Sequence, residues 1–134
     1  MTDAPAGAMT EPIESDHELG RVVEDVVGAA IVDRVWVLFL DRERRVLPTL
    51  LPVDGFRLGD PLTNGEVRAL IRVADGVAAT IDAAEAVVVW ERVGGRRLLA
   101  GERVLVDRLT ALFPLDGLVL RAQFLSHPLG VLKL

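Results

Sequence analysis

The chain has no cysteine among its 134 residues, which removes disulfides, thiol nucleophiles, iron–sulfur clusters and cysteine-based zinc sites together. That absence fits a reducing compartment, and the chain reads as cytoplasmic. Tyrosine is also absent, histidine occurs twice, and Lys133 is the one lysine among fifteen Lys and Arg, as Asn64 is the one asparagine. GC-rich codons produce this bias, so it points to a GC-rich bacterial source and carries no mechanism. No apolar run approaches the roughly eighteen residues of a membrane span. Asp33 and Arg34 precede the longest one and Asp41 ends it.

What the chain does have is apolar content, 51% of its residues with a mean hydropathy of +0.37. At this length it is one domain, able to bury a core without staples and to leave apolar surface for a partner. The net charge of -5 argues against nonspecific nucleic-acid binding, which needs clustered Lys and Arg to displace counterions. Residues Met1 to Ser15 carry acids but no basic residue and no apolar core, which reads as neither a secretion signal nor a membrane anchor. Residues 1–14 are expected to be a disordered leader and 15–134 the single domain.

Ser15-Asp16-His17-Glu18 has capping-box spacing, so a helix is predicted to start there and to run to about Ala29, with Leu19, Val22, Val23, Val26 and Val27 as its apolar stripe. Val35-Trp36-Val37-Leu38-Phe39-Leu40 reads as a strand covered on both faces and central in the sheet. The charged turn Asp41 to Arg45 then folds back a second strand, Val46 to Val53, whose Pro48 and Pro52 place it toward an edge. Thr63-Asn64-Gly65-Glu66 opens a second helix to about Ala83. Gly76 within it either costs helix stability or marks close packing. Ala86 to Trp90 is an apolar strand, and Glu102 to Phe113 a third helix stopped by Pro114. Gly94-Gly95 offers an alternative hairpin with Arg96 to Leu99. In Leu118 to Leu125 the alternation with Arg121 and Gln123 predicts one solvated face, and Val131 to Leu134 is a last short strand. The expected architecture is a mixed α/β (α+β) sheet flanked by helices in the order α-β-β-α-β-α-β-β.

That order, with Val35-Trp36-Val37-Leu38-Phe39-Leu40-Asp41 opening the sheet and Phe124-Leu125-Ser126-His127 near its close, resembles the RadC-like branch of the JAB/MPN domain family over about Ser15 to Leu134. The resemblance implies a cytidine-deaminase-like architecture. In such domains an apolar strand, here Val87-Val88-Val89, runs into a His-x-His-Pro motif followed by a helix bearing an Asp. In active members the histidines and the Asp bind zinc while an upstream Glu serves as base. The resemblance places the histidine positions at Trp90 and Arg92, the Asp near Glu102 and the upstream acid near Asp33. Trp and Arg do not ligate zinc, so the implied form is a degenerate, non-catalytic one with no metal and no cofactor. Pairing of such domains implies a possible homodimer. The chain is also similar to short high-GC bacterial proteins with a Trp-Glu-Arg-like segment, a likeness that implies no activity.

Trp90, Glu91 and Arg92 with Arg96 and Arg97 form the candidate interaction surface, because Trp and Arg most often anchor interfaces. The competing reading has Trp90 completing the core and the arginines in a solvated loop. His17 reads as an exposed first-turn residue and His127 as part of a Pro-containing turn. Ser126 beside His127 is no nucleophile–base pair, since neighbours on a strand face opposite ways. Gly94-Gly95 lacks the spacing of a phosphate loop. Two functions stay open. One is a protein-interaction or scaffold module, binding a partner or a second copy. The other is a hydrolase with relocated ligands among Asp33, Glu91, Glu102, Asp107 and His127, or a small-molecule enzyme with paired carboxylates, which requires at least two of those groups to converge in a pocket.

Overall fold

The computed structural model describes residues 11–113 and 117–134. Its elements run α1 (Asp16–Val26), β1 (Arg34–Leu40), β2 (Val46–Val53), α2 (Asn64–Ile81), β3 (Glu85–Glu91), α3 (Ala100–Leu112), β4 (Val119–His127) and β5 (Gly130–Lys133). This is the expected order, and the strands form one mixed sheet, β2-β1-β3-β4-β5. β1 lies antiparallel to both β2 and β3, β3 and β4 are parallel across α3, and β5 returns antiparallel on β4. The chain is thus a single α+β domain, and no helix among the described residues is long and apolar enough to cross a membrane.

Two cores, one on each face of the sheet, explain the unbroken apolar runs. Val35, Val37 and Phe39 of β1 join α2 and α3 on one face, while Leu38 and Leu40 join Leu19, Val22 and Val23 of α1 on the other. Successive strand side chains alternate faces, so a strand buried on both sides must be apolar throughout. β3 obeys the same rule, with Ala86, Val88 and Trp90 toward α2 and α3 and Val87 and Val89 toward α1. β3, not β1, is the middle strand, although β1 is interior as expected.

The caps follow the sequence. Thr63 and Glu66 close a reciprocal box at α2, with Glu66 N–H donating to Thr63 Oγ1 at 3.1 Å and Thr63 N–H to Glu66 Oε1 at 2.8 Å. At α1 the Ser15 hydroxyl accepts from Glu18 N–H, but the Glu18 carboxylate accepts from Glu14 N–H instead of Ser15.

Several expectations are corrected. Ile13, within the expected leader, is buried and donates its N–H to the Arg44 carbonyl, so residues 11–14 are held to the domain. The leader's first ten residues lie outside the described residues, as does Pro114. α1 stops at Val26 because Gly28, at φ +74°, turns the chain out of the helix. A Cβ at Gly76 would meet nothing within 4 Å, so that glycine marks no close packing. Residues 96–99 form no strand, and α3 begins at Ala100. Gln123 is buried, because α3 crosses the face of β4 that the alternation had assigned to solvent.

Candidate functional site

The parallel strands β3 and β4 carry their carboxyl ends to one side of the sheet, where α3 begins. In open α/β sheets that is the side on which ligands are held. At this end every polar side chain of the Trp90 segment already has a partner. Trp90 is 1% exposed and donates its indole N–H to Gln123 Oε1 at 2.7 Å. The Gln123 amide in turn donates to the Val106 carbonyl and the Thr110 hydroxyl, both at 2.8 Å. Glu91 is equally enclosed. Its Oε2 accepts from Ile31 N–H at 2.9 Å and Val32 N–H at 3.2 Å, and its Oε1 from the Trp36 indole at 2.8 Å. A buried carboxylate is tolerated because three donors replace its water.

The positions that the resemblance singled out do gather at this end. Arg92 forms an ion pair with Glu102 at 3.1 Å, the two side chains 13% and 6% exposed. Arg92 also donates to the Arg97 carbonyl at 3.1 Å. The Glu102 carboxylate accepts from Leu99 N–H at 2.9 Å, serving the first turn of α3. Asp33 accepts from Val93 N–H at 2.9 Å. Arg92 thereby pins the 93–99 loop. Gly94 makes room for it, since a Cβ there would stand 2.7 Å from the guanidinium.

The other candidates have partners of their own, and Ser126 and His127 stand at the same strand end, Ser126 opposite Glu91. Asp107 pairs with Arg103 one turn back on α3. His127 Nδ1 accepts from Leu129 N–H within the β4–β5 turn. Ser126 turns the other way and donates to the Gly28 carbonyl at 2.6 Å, while His17 lies exposed on α1. No group of three or more His, Asp or Glu among the described residues is placed to hold a metal ion.

The surface assignment therefore needs correcting. Trp90 and Glu91 lie inside the protein and offer nothing to a partner, Arg92 is mostly enclosed, and only Arg96 and Arg97 of the five stand in solvent. These two arginines open onto a feature that sequence reasoning missed, a cleft of about 590 Å³ between the 96–100 segment and β5. Three arginines line it, Arg96, Arg97 and Arg103, with Lys133 at its border turning its ammonium to Asp16 of α1, and no carboxylate side chain lines it among the described residues. Its apolar lining comes from Leu98, Leu99, Leu132 and Leu134, with Leu99 67% and Leu132 44% exposed. Arg103 reaches an acid outside the cleft, Asp107 at 3.9 Å. Such an exposed pair is worth at most about 1 kcal/mol and leaves Arg103 open to exchange partners. The doublet Arg96-Arg97 was the local signal for this cleft. Leu98 and Leu99 follow it directly, whereas Leu132 and Leu134 join it only through the return of β5 on β4 and gave none.

No protein-family model matches the chain, and no curated protein matches it.

Proposed function

We propose that the chain is a non-catalytic protein-interaction module, a degenerate RadC-like JAB/MPN domain that binds through the cleft beside β5. Support for the non-catalytic half of this reading comes from the bonding at the strand ends. Glu91, Glu102 and Asp33 are each engaged in holding a loop or a helix turn; Asp107 is paired with Arg103 on α3, and His127, beside Glu91's strand partner Ser126, has a local partner in Leu129 N–H. Where the resemblance would place a histidine and an aspartate around a metal, Arg92 faces Glu102. A guanidinium already supplies the positive charge beside that carboxylate.

The observation that carries the binding half is the cleft itself, three arginines over an apolar lining in a chain of net charge -5. Arg is among the residue types that most often anchor interfaces, and the exposed leucines beside the arginines offer apolar area for a partner to cover. Affinity capture from host lysate tests it. The wild-type chain retains one stoichiometric partner, and the Arg96→Glu/Arg97→Glu variant, folded as judged by circular dichroism, loses it. The same proteins captured by both forms would contradict the reading.

A further inference from the structure

We propose that the partner is an acidic segment that adds to the sheet as a sixth strand along β5, its alternate side chains seated in the cleft. The inference rests on the interaction-module reading and adds the chemistry and the geometry of what is bound. β5 is an edge strand among the described residues, and the direction of its backbone groups follows from its pairing. Leu134 N–H bonds to the Gln123 carbonyl at 2.9 Å, so 134 and 123 form a hydrogen-bonded pair. In an antiparallel ladder such pairs alternate with non-bonded ones. Gly130 and Leu132 therefore turn their N–H and C=O toward β4, while Val131 and Lys133, opposite Ser126 and Phe124, turn theirs outward. The opposite edge of the sheet differs. There Pro48 and Pro52 of β2 have no N–H to offer.

Side-chain alternation then assigns the two faces of an added strand. Leu132 packs on the α3 side and lines the cleft, whereas Val131 and Lys133 face α1. Every second side chain of the added strand would lie between Leu98, Leu99 and Leu132 with Arg96, Arg97 and Arg103 around it. The acidic side chains that enter the cleft meet those arginines, their methylene stems lying over the leucines. Two copies joined by their β5 edges would instead bring their cations together, so the charge that attracts an acidic strand disfavours self-pairing. Nucleic acid is the weaker occupant, because the lining has no aromatic side chain for base stacking and the whole chain is negative.

The test uses a labelled alternating Glu-Val peptide of about ten residues, with its Lys-Val counterpart and oligo(dT) as competing probes. Fluorescence polarisation is expected to detect the Glu-Val peptide alone, with affinity falling about tenfold or more in Arg96→Glu/Arg97→Glu and by a similar factor in Val131→Pro, which removes one outward N–H. Exchange of the Val131 and Lys133 amides, followed on the wild-type chain, is expected to slow on binding, a readout that needs no variant to fold. Glu-Val binding without protection of those amides would overturn strand addition, and so would preferential binding of oligo(dT) or of Lys-Val. If Arg96→Glu/Arg97→Glu still loses the captured partner while the amides stay unprotected, the sixth strand falls and the interaction-module reading stands. If that variant keeps the partner, both fall.

Discussion

Glu91 shows how a charge can be hidden by distant parts of the chain. Its carboxylate joins the Ile31 and Val32 amides and the Trp36 indole to the end of β3, across 55 to 60 residues of sequence. Three donors, part-buried, meet on one buried carboxylate and make that side chain hard to replace, since a donor left without partner or water costs on the order of 1–3 kcal/mol. Glu91→Ala is expected to destabilise the fold by about 2–4 kcal/mol, measured as a lower denaturant midpoint with unchanged slope. A loss under about 0.5 kcal/mol would mean that water replaces the carboxylate. Trp90→Ala belongs with it as a core substitution, with about 3–5 kcal/mol at stake. Trp90 completes the core, as the competing reading of its segment had it, whereas the enclosure of Glu91 and Arg92 was not legible because adjacent polar residues carry no mark of the loop that covers them. Gln123 was misplaced for the same reason. Its partners Trp90, Val106 and Thr110 lie on β3 and α3, and alternation within β4 cannot reveal that a helix crosses its second face.

At the scale of elements the sequence was far more legible. All eight elements lie where periodicity and caps put them, with boundary differences of a few residues, because a strand buried on both faces and a capped amphipathic helix are local patterns. Gly76 sits mid-helix on the exposed side of α2, with nothing near the place a Cβ would take. Gly76→Ala is therefore expected to stabilise the chain by about 1 kcal/mol, raising the melting temperature by a few degrees. A drop would show that α2 is held against a surface the free chain does not display. Sheet pairing was less legible than element position. The strand order β2-β1-β3-β4-β5 arises from contacts between distant segments, although the two prolines of β2 did mark it as an edge.

At the scale of the whole molecule, charge and edges together decide what the surface favours. The chain is acidic overall, yet three of its fourteen arginines converge on one cleft beside the edge strand that lacks proline. The cleft could not be read from the sequence, because Leu132 and Leu134 reach Arg96 and Arg97 only through the return of β5 on β4. Exposed cations attract through water, so partner binding is expected to weaken steadily as salt rises toward about 1 M, where the screening length falls to about 3 Å. Binding indifferent to salt would shift the weight to the leucines.

The most direct measurement of the central claim is photo-crosslinking in living cells, with the reactive side chain placed at Leu99 in the cleft or at Val73 on α2. Both positions are exposed, 67% and 45%, so accessibility alone does not separate them. A discrete adduct with another protein from Leu99 and none from Val73 is the predicted result. No adduct from Leu99, or the same adducts from both positions, would contradict binding through the cleft.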